Sequence, residues 1–351
     1  MPNILRRVTE DGPSGVRARV VAIYVVLAVA NVGAWLWAFV AFRHFPLLLG
    51  TALLAYSFGL RHAVDADHIA AIDNVTRKLM QDGRRPVAVG FFFSLGHSTV
   101  VVLASVAIAV TATRFGTQLD SFRTVGGVLG ALVSSAFLFA IAAMNIAVLR
   151  TVWATFQRVK AGGHGVEEDT GVLPAGGGIL SRLFRPLFAT MGRSWHMYPL
   201  GLLFGLGFDT ATEVGLLGIS ATQASSGLSV WSILVFPALF TAGMSLIDTT
   251  DGILMLGTYG WAFLRPIRKI YYNLTITAVS IVVALLVGGI EALGLIGGQL
   301  ALTGGFWDGV GTLNEHFESI GFVVIGIFVA SWILSAVIYR LKGYDRIGLD
   351  A

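Results

Sequence analysis

The stretch Arg61-His62-Ala63-Val64-Asp65-Ala66-Asp67-His68 places two imidazoles, two carboxylates and a guanidinium within eight residues of an apolar segment. These are ligand types that hold a divalent transition metal. At 100° per residue, His62, Asp65, His68 and Asp73 share an arc of about 140° on a helix, and Asp67 points away from it. For all of these groups to converge, the helix must unwind near Ala66, or Asp67 must serve a neighbouring helix. Asp73 lies four residues from Arg77, and the structural reading pairs the two.

Three further stretches are polar inside apolar surroundings. Phe91-Phe92-Phe93-Ser94-Leu95-Gly96-His97-Ser98 puts Ser94 and His97 on one helix face. His97 is either a core histidine bonded across helices or a metal ligand. Next to His62, Asp65, Asp67 and His68 it joins the candidate ligands, with Ser94 and Ser98 behind it. Gly207-Phe208-Asp209-Thr210-Ala211-Thr212-Glu213 stacks Asp209 and Glu213 at i,i+4. Gly243-Met244-Ser245-Leu246-Ile247-Asp248-Thr249-Thr250-Asp251-Gly252 sets Asp248 and Asp251 at i,i+3. Asp65, Asp67, Asp209, Glu213, Asp248 and Asp251 face one guanidinium, Arg61, which is expected to neutralise one or two of them. Uncompensated carboxylates in low dielectric take protons or recruit cations. Asn31 either bonds another helix, lends an oxygen to a metal, or orients a ligating imidazole. His44, His164, His196 and His316 read as solvated or interfacial.

The elements carrying these groups are membrane spans. Of 351 residues, 55% are hydrophobic and 13% charged, and mean hydropathy is +0.78. The pattern predicts an all-α polytopic membrane protein with about eight helices, near 19–42, 47–73, 86–112, 126–149, 199–220, 231–260, 273–293 and 319–340. Ionisable groups at the centre of such spans cost about 2.5–3.5 kcal/mol each, so they must face partners or a polar cavity. With both termini on the cytoplasmic side, twenty Lys and Arg fall in cytoplasmic segments and Arg43, Arg114 and Arg123 in outer loops, with Arg61 inside a span. That bias sets orientation and explains the basic pI near 9.5 without nucleic acid as a partner.

The chain reads as a single transmembrane domain, 1–351, with a Gly-rich and acidic cytoplasmic linker at 151–198 between two halves. Segment 294–318 reads as an outer loop. Gly59-Leu60 followed by Phe93-Ser94-Leu95-Gly96 is echoed by Gly205-Leu206 followed by Phe240-Thr241-Ala242-Gly243. The echo would relate inverted units, a common transporter plan with the site between them.

There is no cysteine, so no thiolate site exists. There is no phosphate-binding loop and hence no ATPase module in the chain. Neither His-Glu-x-x-His nor Gly-x-Ser-x-Gly occurs. On the residues alone the chain is a polytopic protein with a cation site, which leaves open a broad divalent importer for Mn²⁺, Fe²⁺ or Zn²⁺ and an intramembrane hydrolase using Asp248 with Asp251 or the histidines.

The four motifs, in this order, resemble the nickel/cobalt transporter (NiCoT) family, closest to its bacterial high-affinity nickel permease branch. The resemblance implies eight helices and no enzyme activity. It implies uptake of Ni²⁺, with variable Co²⁺, through the bacterial cytoplasmic membrane, no prosthetic group, and delivery to a cytoplasmic nickel acceptor the sequence does not identify. It also implies that His62, Asp67 and His68 belong to the transport site, and that Asn31, His62 and Val64 match nickel-preferring variants.

Overall fold

Pro46 opens one helix and Asp65 caps another, and between them the chain leaves the helical path at Ala63–Asp65. Pro at the first helical position loses no bonded N–H. Asp is a favoured N-cap, and here its backbone is extended, with φ −61° and ψ 143°. The two helices meet at a bend of 52°, so the unwinding expected near Ala66 is present.

A computed structural model describes residues 11–12, 15–111, 116–160, 191–206, 211–262 and 266–341, and no strand occurs among them. The helices are α1 (Val16–Phe42), α2 (Pro46–His62), α3 (Ala66–Gln81), α4 (Val89–Thr111), α5 (Gly116–Lys160), α6 (Met197–Phe204), α7 (Ala211–Ser225), α8 (Val230–Ile233), α9 (Val235–Ala262), α10 (Pro266–Gln299), α11 (Gly305–Glu315) and α12 (Phe317–Leu341). Six are long and apolar enough to cross a membrane, and the bent pair α2–α3 makes up to seven spans. The expected span at 199–220 covers α6 and α7, with 207–210 between them outside the described residues. The expected outer loop 294–318 is largely helical, because α10 runs on to Gln299 and α11 fills Gly305–Glu315. Of the expected linker, 161–190 lies outside the described residues; its flanks continue α5 to Lys160 and lead into a 3₁₀ turn at Ser194–His196.

Two helix pairs hold the centre, and each pair takes one helix from either half of the chain. In α2 against α9, a Cβ on Gly59 would collide with the Phe240 carbonyl, and one on Gly243 would lie 2.9 Å from Tyr56 O. In α6 against α4, a Cβ on Gly201 would collide with the Phe93 carbonyl, and one on Gly96 with that of Tyr198. The internal echo therefore has a different register from the one read in the sequence. Tyr56-Ser-Phe-Gly59-Leu60 is the counterpart of Tyr198-Pro-Leu-Gly201-Leu202, one turn before Gly205-Leu206. Small residues let such backbones touch where lipid gives helices no hydrophobic reason to associate.

Two polar networks fix the rest. Asp73 accepts hydrogen bonds from Tyr259 and from Ser280 at 2.8 Å, while Arg77 donates to Thr277 at 2.9 Å and Asn74 at 2.7 Å. In place of a direct Asp73–Arg77 ion pair, Asp73 is held by Tyr259 of α9 and Ser280 of α10, and Arg77 by Thr277 of α10 and Asn74 of its own helix, with its Nε left unbonded. At the start of α1, both oxygens of Asp11 hold Ser194, from its N–H at 2.8 Å and its hydroxyl at 2.5 Å. Arg85 N–H donates to Asp11 O at 2.9 Å, and Arg19 bonds the carbonyls of Arg85 and Gly12.

Candidate metal site

The break after α2 turns two helix ends toward one point. His62 stands in the last turn of α2, where a cation is favoured, and Asp67 in the first turn of α3, where an anion is. Asp67 Oδ1 accepts the His68 N–H at 2.9 Å, which caps a free helix-end donor. α7 repeats the plan, with Glu213 in its first turn. α4 contributes His97, and α9 contributes Asp248.

His62, His68 and His97 are all buried, and each offers a ring nitrogen within 4.8 Å of the others. The Nε2 atoms of His62 and His97 are 2.9 Å apart. Glu213 Oε1 is 2.8 Å from His97 Nε2 and 3.9 Å from His62 Nε2. On the far side of the His62 ring, Asp65 Oδ2 is 2.8 Å and Thr212 Oγ1 3.3 Å from Nδ1. His68 Nδ1 lies 3.3 Å from Asp248 Oδ1. Phe93 stands edge-on to His68, with centroids 4.8 Å apart, and Phe240 packs on His62 at 5.5 Å. These two phenylalanines occupy matching places in the internal repeat and wall the imidazoles from opposite sides of the sequence.

Several buried polar atoms here have no hydrogen-bond partner: His68 Nε2, His97 Nδ1, Ser98 Oγ, Asp248 Oδ2 and Asp251 Oδ2. Unsatisfied buried donors and acceptors cost about 1–3 kcal/mol each, and those of His68, His97 and Asp248, which meet here, are open to a ligand. Three imidazoles with a carboxylate form a nitrogen and oxygen donor set suited to Ni²⁺, Co²⁺ or Zn²⁺.

The candidate residues divide as follows. His62, Asp65, His68, His97, Glu213 and Asp248 converge. Asp67 lies beside them, half-buried, with its carboxylate turned to its own helix end. Asp251 is one turn along α9 from Asp248. Ser94 Oγ is 3.0 Å from both Phe91 O and Ser245 Oγ, joining α4 to α9. Val64 lies in the break. Arg61 stands exposed in the last turn of α2. Asn31 donates to Leu27 O at 2.9 Å and Ala242 O at 3.3 Å and accepts from Tyr56 at 2.9 Å. Of the roles open to it, Asn31 thus bonds other helices, through Tyr56 of α2 and the Ala242 carbonyl of α9. Asp209 and Thr210 lie outside the described residues. Thr212, Phe93 and Phe240 were not singled out by residue type; the motif around Thr212 and the repeat that pairs the phenylalanines were the available signals. His44 and His316 are exposed, in keeping with a solvated role.

A buried, carboxylate-rimmed histidine cluster at the junction of two helix pairs, in a multi-pass helical membrane protein, is an arrangement a cation transporter would use. The chain belongs to the NicO family, described as high-affinity nickel-transport protein, which it matches over residues 48–338. It is 63% identical over 329 residues, 94% of each chain, to the high-affinity nickel transport protein of Cupriavidus necator. It is 52% identical to the hydrogenase nickel incorporation protein HupN of Bradyrhizobium diazoefficiens, over 90% of this chain and 82% of that one. It is 39% identical to the cobalt transport protein NhlF of Rhodococcus rhodochrous, over 84% of each. No solved structure matches the chain. The family is one of transporters, and the hydrolase alternative falls with that assignment.

Proposed function

We propose that this protein is a permease that imports Ni²⁺, and Co²⁺ as a second cargo, across the bacterial cytoplasmic membrane. The observation that carries the reading is the cluster of His62, His68 and His97, drawn from three helices and buried with atoms left unbonded. Asp65 and Asp248 each face an Nδ1, so His62 and His68 keep Nε2 for the metal, in the carboxylate–histidine–metal arrangement that fixes the ligating nitrogen. His97 and Glu213 complete the donor set, and the latter's charge offsets part of the ion's own. At one nitrogen and oxygen site nickel binds more tightly than cobalt by the Irving–Williams order.

Transport inward has its own driving force. A 2+ ion gains about 4.6 kcal/mol per 100 mV of membrane potential, which corresponds to accumulation by roughly three powers of ten. Membrane potential suffices without a coupled ion. Both termini and the segment 151–198 face the cytoplasm in this reading, on the strength of the charge bias.

Uptake of ⁶³Ni into proteoliposomes with an imposed inside-negative potential tests it, with Co²⁺, Mn²⁺ and Zn²⁺ as competitors. Potential-dependent uptake suppressed chiefly by Co²⁺ is expected. Equal suppression by Mn²⁺ would return the protein to the broader divalent class.

A further inference from the structure

We propose that Gly321 of α12 is a positioning residue for the metal site, fixing the non-helical turn Ala63–Asp65 through its contact with the Val64 carbonyl. The inference rests on the reading of His62 and Asp65 as parts of the nickel site.

α12 is mostly a lipid-facing helix, with Phe322, Val323, Val329, Ile333 and Leu334 exposed. Gly321 is buried on its other face, and a Cβ there would overlap the Val64 carbonyl oxygen and stand 3.3 Å from the Asp65 carbonyl carbon. Its backbone is ordinary helix, so no positive φ demands glycine. Within a helix glycine is about 1 kcal/mol worse than alanine. Gly326, one turn and a half further on, has open space around it. The close approach is therefore what Gly321 supplies that other residues cannot.

What it approaches is the weak point of the site. The turn is held from below by N–H bonds from Val64 to Arg61 O and from Asp65 to His62 O, both 3.0 Å. The Val64 carbonyl itself lies outside both helices. At membrane depth such a group needs cover by protein, and a glycine Cα–H is a fitting weak donor. Val324, Ile320 and Phe317 pack around Val64, Ala66 and Ile69 on either side of this contact. One residue beyond Val64, Asp65 holds His62 Nδ1 at 2.8 Å, and three beyond that, α3 carries His68. Any push on the Val64 carbonyl is delivered to the spacing between two imidazoles. A misplacement of about 1 Å can cost about 100-fold where geometry governs a reaction, and metal choice is a difference of two affinities.

The test uses the full chain in proteoliposomes, with ⁶³Ni and ⁵⁷Co uptake measured for wild type, Gly321→Ala, Gly326→Ala and Val324→Ala, each also followed by thermal unfolding in detergent. Gly321→Ala is expected to raise the nickel KM about tenfold with a smaller change in maximal rate, and to shift the nickel-to-cobalt ratio. Gly326→Ala should match wild type, and Val324→Ala should lower thermal stability while leaving the metal ratio unchanged. A Gly321→Ala protein with wild-type KM and ratio would overturn the proposal. So would one that does not fold, or a Val324→Ala protein with the same altered ratio, since either makes α12 a general packing element. Wild-type protein that moves neither metal would instead overturn the transport reading on which the proposal rests.

Discussion

His62 and His97 are separated by 35 positions in the chain, yet their Nε2 atoms lie 2.9 Å apart, with Glu213 closing the group from a third helix. The two rings meet through Nε2 within hydrogen-bond distance. To present both Nε2 lone pairs to a divalent ion, the two rings would carry their protons on Nδ1, which in His62 faces Asp65 Oδ2 at 2.8 Å. Asp65 and Thr212 at His62 Nδ1 and Glu213 at His97 Nε2 hold the two rings in this arrangement.

Removing one ring should remove transport rather than fold. His97→Ala and His68→Ala are each expected to lower initial ⁶³Ni uptake by more than about 100-fold, beyond the 10–100-fold typical of residues standing behind a ligand. Uptake is normalised to reconstituted protein. Near-normal uptake by either variant would take that histidine out of the site.

The carboxylates behind the rings should weigh less. Asp65→Asn and Asp248→Asn keep shape but change the group that faces Nδ1, and each is expected to weaken equilibrium ⁶³Ni binding in detergent by about 10–100-fold. Asp251→Asn, one turn away along α9, should change it by less. If Asp251→Asn weakened binding most, the metal would sit deeper along α9 than the three histidines place it.

Asn31 now has a specific set of partners. Because its amide joins Tyr56 and the Ala242 carbonyl, Asn31→Ala and Tyr56→Phe are expected to cost about 0.5–1.5 kcal/mol of stability each, and to leave the nickel-to-cobalt ratio alone. The pair should behave as one unit in a double-mutant cycle. A ratio shifted by Asn31→Ala but not by Tyr56→Phe would show that the amide reaches the metal without Tyr56.

Much of this was legible in the residues. The spans follow from apolar runs, and the clash between a regular helix and the positions of His62, Asp65 and Asp67 already called for either a break near Ala66 or a neighbouring helix for Asp67. Charge and spacing could not reveal pairings made through backbone. Gly59 against Phe240 and Gly201 against Phe93 leave no pattern in a single chain except a faint Tyr-x-x-Gly-Leu repeat, which the more obvious Gly-Leu pairs obscured. Asp73 and Arg77 looked like partners because i,i+4 spacing allows it, but Tyr259, Ser280 and Thr277 come from helices nearly 200 residues away. Long-range side-chain choice of this kind is invisible to local spacing.

Orientation has a direct test in a chain without cysteine. A thiol introduced at Ser225, exposed at the end of α7, is expected to react with an impermeant maleimide from outside intact cells. One at Ser181 should react only after the membrane is opened. Labelling at Ser181 from outside would overturn the assignment drawn from the basic residues.

The last prediction concerns the knot at the start of α1. Asp11 is buried and gives both oxygens to Ser194, while Arg85 and Arg19 tie the same turn to the segment before α4. α1 packs on α9, and the Ser194–His196 turn leads into α6, which packs on α4. The knot therefore links the α2–α9 pair to the α4–α6 pair at one end of both. Breaking it leaves a buried carboxylate or a buried N–H and hydroxyl without partners, at a cost of about 1–3 kcal/mol. Asp11→Ala and Ser194→Ala should each lower the thermal midpoint of the purified protein. Asp11→Ala loses both bonds and Ser194→Ala only the hydroxyl bond, so their double variant should fall little further than Asp11→Ala alone. Strict additivity of the two effects would mean that Asp11 and Ser194 stabilise the protein through separate contacts, and that the two helix pairs are not joined through this residue pair.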